Sequence, residues 1–438
     1  MMPLFHATVG SLLAAALLVG CASSQSPVPG APAAHARSSS AVESVLYSFR
    51  GGYDGWDPTA GLVTDSTGAL YGTTVIGGMH GSNCGSGGCG TVYKLTPAGS
   101  GYTERVIHHF SGPKRPTDGV SPSGGLVITA NGTLYGTTYA GGRGIGDGTI
   151  FRLTPVRSHY EEKVLYRFSG SDGATPYAGL TAGSGGALYG TTFYGGSNDH
   201  GTVFEFVPAT GKLTTLHAFG APHRDGALPM GPVALDASGN IYGTTEYGGH
   251  YCGTSSACGT VFKLTRSHSG YRARTLYEFR GRKDGEFPTG SLVIGGDGAV
   301  YGTTQAGGKY PGCGTIFALT PHGATYAFSV IYSFTCGGAD GAFPAAGLVA
   351  GANGTLYGTA EGGGNSGCNE GGCGTVYALT QTSSGHTLNA LWSFQSSGDG
   401  NGPDSTLLVD ASGTLYGTTT SGGVPSGSHD GTVFKVTP

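Results

Sequence analysis

The chain has 438 residues, 86 of them Gly and only 11% charged, with a formal net charge of −4. Glycine at this level without a strict three-residue period excludes collagen. A small acidic balance with no basic stripe excludes an electrostatic footprint for nucleic acid.

The first stretch reads as a targeting segment. Leu12 to Val19 is apolar but too short to span a membrane as a mature helix. It ends in Leu18-Val19-Gly20-Cys21, which is similar to the lipobox of bacterial lipoproteins, where the Cys becomes the lipidated first residue. No Lys or Arg precedes the apolar run, so an ordinary signal peptide is the alternative. The expected organisation is a signal peptide over residues 1–21, a flexible tether rich in Ala, Ser and Pro over 22–41, and a folded region over 42–438. The expected address is the cell envelope, at the outer membrane or cell surface, with the membrane reached only through the lipid on Cys21.

From there the chain repeats. Leu-Tyr-Gly-Thr-Thr or a close variant starts at Leu70, Leu134, Leu188, Ile241, Val300, Leu356 and Leu415. Gly-Thr-Val/Ile-Phe/Tyr starts at Gly90, Gly148, Gly201, Gly259, Gly314, Gly374 and Gly431. An Asp-Gly-x-x-Pro motif opens each unit, with its Asp at 54, 118, 172, 225, 284, 340 and 399. Each unit offers four strands. The first follows the Pro, as in Gly61 to Asp65, and a turn such as Ser66-Thr67-Gly68 leads into Leu70 to Thr74. The third runs from Thr91 to Thr96 and is expected to close at Pro97, as its counterpart does at Pro155. The fourth ends in an aromatic pattern such as Val164-Leu165-Tyr166-Arg167-Phe168. No segment carries a sustained helical period. Four antiparallel strands per unit predict an all-β, seven-bladed β-propeller.

The ends of the sequence indicate how the ring closes. The last repeat stops at Thr432 to Pro438, after its third strand, whereas Ser44-Val45-Leu46-Tyr47-Ser48-Phe49 is a fourth strand with no blade before it. The strand at about 43–49 is therefore expected to complete the last blade and remove its exposed edge. Together these motifs resemble the GloVer (Gloeobacter/Verrucomicrobia) repeat over residues 43–438. The resemblance implies an exported, propeller-like bacterial protein and no defined activity.

Beyond Cys21, eight cysteines remain. Cys84/Cys89, Cys252/Cys258 and Cys368/Cys373 are local pairs in the same loop of different repeats. Disulfides fit an exported chain better than a zinc knuckle, because no second pair stands at zinc spacing. Cys313 precedes a third strand and Cys336 follows a fourth, so antiparallel neighbours predict a Cys313–Cys336 bridge.

Function is less legible. The seven motif Asp residues could suggest metal, but a feature present in every blade reads as turn chemistry, and no metal or cofactor is expected. The residue after Leu-Tyr-Gly-Thr-Thr varies: Val75, Tyr139, Phe193, Glu246, Gln305, Glu361, Thr420. Glu246, Gln305 and Glu361 with Tyr139, Phe193, Tyr194 and Tyr247 form a candidate ligand-binding set, since aromatic faces beside carboxyl and amide groups suit a sugar. His80, Arg143, His200, His250, Lys309 and His429 add polar groups in the next loop positions. The primary expectation is a monomeric, non-catalytic protein presenting stapled loops to a glycan or protein partner. One alternative is a polysaccharide-acting hydrolase or lyase using Glu246, Glu361 and nearby His, although two blades separate those carboxyls further than glycosidase pairs stand. The other is a purely structural surface protein.

Overall fold

In a computed structural model, residues 41–438 are described, apart from short stretches at 79–83, 85–86, 100, 113–117, 145, 221–224, 250, 253–255, 269, 365–367, 369–370, 396–397 and 424–429. Seven four-stranded antiparallel sheets make up a seven-bladed propeller. No α-helix occurs among the described residues, and none of the helical turns there is long and apolar enough to cross a membrane. Blade 1 shows the pattern: a two-residue inner strand Val63–Thr64, then Leu70–Thr74, Thr91–Ala98 and the outer strand Gly101–His109.

The repeated sequence explains the blade. All five residues of Leu70–Thr74 are buried, because blade faces are covered on both sides. Gly72 is required by close approach, since a Cβ there would sit 2.3 Å from the Tyr93 hydroxyl oxygen. The two threonines have separate tasks. Thr73 donates its hydroxyl to the Gly124 carbonyl of the next blade, and Thr418 donates to Ala60 at 3.4 Å, carrying the same bond from blade 7 to blade 1. The second threonine pairs with the first residue of the third strand, as in Thr74–Thr91 at 2.8 Å. Ala360 replaces it in blade 6, where Thr375 donates to the Asp340 carbonyl instead.

Blade 7 closes as the sequence predicts. The outer strand Val42–Ser48 pairs antiparallel with Thr432–Thr437, with Val42 opposite Thr437 and Ser48 opposite Thr432. Phe49 follows, donating its N–H to Gly431 O at 3.0 Å, and its ring packs with Leu62, Leu70 and Tyr93 of blade 1. A fully buried Phe contributes about 2–3 kcal/mol, and an equivalent Phe follows every outer strand.

One local expectation is corrected and another is extended. The third strand does not stop at Pro97: it runs to Ala98, with Pro97 opposite Tyr102. Ala98 and Gly101 close the hairpin, so Pro97 falls in the next, non-bonded pair, where its missing N–H removes no ladder bond. The motif Asp residues are structural, but they do more than stabilise their own turn. Asp284 accepts from the Tyr277 hydroxyl and the Arg280 N–H, clamping the end of the preceding outer strand. Asp54, Asp172 and Asp340 do the same with Tyr47, Tyr166 and Tyr332, while Asp225 uses His217 and Asp399 uses Trp392. A bulge in each outer strand, such as the one at Leu46 between Val45 and Tyr47, turns this aromatic toward the clamp.

Disulfides join Cys84–Cys89, Cys313–Cys336 and Cys368–Cys373. Cys258 is also disulfide-bonded, while the side chain of its expected partner Cys252 lies outside the described set. Bridges of this kind indicate folding in an oxidising compartment.

Candidate functional site

One end of the ring carries the loops that enter the inner strand and the loops between the second and third strands. Backbone bonds lock these together identically in every blade. The residue before the motif Pro takes left-handed backbone: Asp57 (φ 59°), Ser121 (54°), Thr175 (58°), Leu228 (58°), Phe287 (57°), Phe343 (57°) and Gly402 (66°). Its N–H donates to the carbonyl just before the third strand of the preceding blade, as Ser121 does to Cys89 at 2.8 Å. Its carbonyl accepts from the residue after Leu-Tyr-Gly-Thr-Thr: Glu246 N donates to Leu228 O at 3.1 Å, and Glu361 N to Phe343 O at 3.2 Å. Two sequence positions that vary between blades are thus fixed side by side on a frame that does not.

The residue after the Pro lies next to the axis. Ser123 donates its hydroxyl to Tyr177 O at 3.0 Å, and Thr289 donates to Ala345 O at 3.0 Å, each linking this position to the same position one blade on. In blades 3 and 7 it carries Tyr177 and Asp404. Burial, then the charges of Asp404, Asp57, Tyr139 and Glu246, push the Tyr177 hydroxyl above its ordinary range. Four other blades therefore bring groups within electrostatic reach of one phenol.

The carboxyls share this environment. Burial, then Glu361 and Asp57, hold Asp404 well above the usual carboxylate range. Burial raises Asp57 to about 6 and Glu246 to about 7, the latter opposed by a hydrogen bond from Tyr247, and burial also raises Glu361. A carboxyl raised as far as Glu246 is partly protonated near neutrality and can then both donate and accept. Neither varying position beside the Pro, nor the one after Leu-Tyr-Gly-Thr-Thr, carries Lys, Arg or His in any blade.

The residues singled out from sequence divide into two arcs. Glu246 belongs with Tyr139, Tyr194 and Tyr247, whose hydroxyls act on one another or on Glu246. Phe193 stands edge-on to Tyr194, with ring centroids 4.7 Å apart. Glu361 lies beside Asp404, its Cγ 3.9 Å from where a Gly402 Cβ would be. Gln305 is held by its backbone, donating to Phe287 O at 3.0 Å. Arg143, His200 and Lys309 sit in the outer loops of this face, while His80, His250 and His429 lie outside the described residues. Sequence reasoning missed Tyr177, Asp57 and Asp404. Their signal was variation around the motif Pro, the same kind that drew attention to Glu246.

Among the described residues, the exposed large apolar side chains apart from Val42 are Tyr53, Trp56, Tyr194, Tyr310 and Phe343. All five are on this face, in the two loop sets just described. No group of three or more His, Cys, Asp or Glu stands close enough to hold a metal ion among the described residues.

The Gloeobacter/Verrucomicrobia repeat pattern matches residues 34–256 and 252–438. The chain belongs to the Gloeobacter/Verrucomicrobia repeat family. Solved structures of low identity are similar to the chain. One is the extracellular domain of a candidate one component system from B. thetaiotaomicron, at 13% identity and TM-score 0.50, covering 89% of this chain and 40% of that one. Another is PorZ, a surface component of the type-IX secretion system of Porphyromonas gingivalis, at 14% identity and TM-score 0.48, covering 90% of this chain and 47% of that one. The repeat chain thus spans less than half the length of either. No curated protein matches it.

Proposed function

We propose that this family member is a non-catalytic, exported binding protein that takes a glycan at the axial end of its loop face. The observation that carries the reading is the set of varying positions that the backbone frame fixes at this end: Tyr177 stands edge-on to Tyr139 with ring centroids 6.1 Å apart, and the carboxyls of Asp57, Glu246 and Asp404 come within electrostatic reach from three further blades. Phenol faces offer a stacking surface for the apolar side of a sugar ring, and protonated carboxyls and hydroxyls meet its OH groups. Exposed Trp56, Tyr194 and Phe343 extend that surface outward. The absence of cationic side chains from the three axial positions favours neutral sugars or amino sugars over uronic or sulfated ones. Lipidation at Cys21 would hold the propeller at the cell envelope, with 22–41 as the tether.

A glycan array probed with the purified propeller tests this. Expected are spots for neutral or amino-sugar oligosaccharides that vanish with Tyr177→Ala or with Glu246→Gln plus Glu361→Gln. Binding confined to acidic glycans, or unchanged in these variants, would overturn it. Release of reducing ends from a bound oligosaccharide by the wild-type chain, lost in the same Glu variants, would instead make the protein a hydrolase.

A further inference from the structure

Among the residues that each outer strand points into the seam with the preceding blade, one stands opposite the last apolar residue of its third strand. In blades 3 to 6 that residue is Leu213, Ala273, Phe328 and Leu388. In blades 7, 1 and 2 it is Glu43, Glu104 and Glu162, opposite Val436, Leu95 and Leu153. Three consecutive seams therefore hold a carboxyl where four hold an apolar group. Phe328 shows the apolar solution: its ring stacks on Tyr277 of blade 4, with centroids 3.8 Å apart. In all three Glu seams one carboxyl oxygen, Oε1, is buried without a hydrogen-bond partner.

The groups facing each glutamate disfavour its anion further. Glu43 faces Asp399, which is clamped by neutral Trp392. Glu104 faces Asp54, with the Tyr47 and Tyr93 hydroxyls and Arg50 nearby. Glu162 faces Asp118 beside His108, with Arg167 giving partial relief. Burial first, and these aspartates second, raise all three glutamates from 4.5 to about 7.

We infer that these three seams form a proton-operated latch on the ring's closing region: protonated Glu43, Glu104 and Glu162 keep it clasped, and their ionisation loosens it. Blade 7 lies between two of the seams, and its outer strand is joined to Thr432–Thr437 by hydrogen bonds, not by the chain. It is therefore the blade that opens first. The sign follows from which state holds the proton more tightly. Folded glutamates that hold protons more tightly than unfolded ones stabilise the fold fully at or below about pH 4.5, and that stability is lost as pH rises towards 7 and beyond. Every tenfold gain in proton affinity on folding changes the folding equilibrium tenfold once the pH has passed both values. Partial exposure of these side chains screens the effect to about tenfold per glutamate.

Hydrogen exchange of the full chain at pH 5.0 and pH 8.5, corrected for intrinsic rates, tests the latch. Protection of 42–49 and 432–437 should fall at least tenfold more at pH 8.5 than protection of 315–333 around the Phe328 seam. The triple variant Glu43→Leu, Glu104→Leu, Glu162→Leu should abolish that difference. Should the triple variant fail to fold, the single variant Glu104→Gln should reduce it, since the amide cannot ionise. An equal loss in both regions, or a pH response that survives these substitutions, would overturn the latch.

Discussion

Two sets of carboxyls stand on the same face of this ring in opposite surroundings. Asp54, Asp172, Asp225, Asp284, Asp340 and Asp399 each accept from a backbone N–H and an aromatic side chain. For Asp57 and Asp404, only a few residues along the same loops, no side-chain hydrogen bond is found among the described residues, and burial drives them toward protonation. The difference teaches that what repeats in this chain builds the scaffold, and what breaks the repeat supplies the chemistry.

The comparison can be broken from the scaffold side first. Removing residues 41–49 strips the outer strand and the buried Phe49 ring from blade 7, leaving Thr432–Thr437 as an exposed edge. The expected outcome is loss of the cooperative thermal transition, with aggregation on size exclusion. Asp284→Ala comes next. It orphans the Tyr277 hydroxyl and the Arg280 N–H, at a cost of about 2–3 kcal/mol by denaturant unfolding. Asp404→Asn should differ in sign, leaving stability unchanged or raising it, because it removes a carboxyl that Glu361 and Asp57 oppose. If both aspartate variants destabilise equally, the distinction between the two sets fails.

Proton linkage sharpens the same contrast. Asp57 at about 6 and Glu246 at about 7 are raised above their unfolded values, so they favour the fold at acid pH and lose that contribution as pH rises through 6 to 7. The melting temperature should fall between pH 5 and pH 8, and Glu246→Gln should flatten part of the fall. The smallest effect is expected from Thr418→Val, which deletes the blade 7 to blade 1 bond to Ala60 and costs about 1 kcal/mol in chemical denaturation.

Much of the ring was legible because its signals are local and repeated. Leu-Tyr-Gly-Thr-Thr sets a strand with a glycine that admits the ring of Tyr93 or Phe151, and the match of Ser44–Phe49 to Ser329–Phe334 gives the closure. The clamp of Asp284 on Tyr277 was not legible, because it joins an outer strand to the turn after it through a bulge that no residue type announces. Tyr177, Asp57 and Asp404 escaped for a related reason. They flank a proline inside a motif that reads as a turn, and only the left-handed residue before that proline brings them to the axis. Glu43, Glu104 and Glu162 look like ordinary alternating outer-strand residues until the seam they face is known.

The most direct test is calorimetric titration of the strongest array hit into the wild-type chain and into Tyr177→Ala, with Asp284→Asn as a scaffold control. Binding that disappears in Tyr177→Ala and persists in the folded Asp284→Asn protein is the predicted result. Binding retained by Tyr177→Ala would contradict an axial site built from the positions that break the repeat.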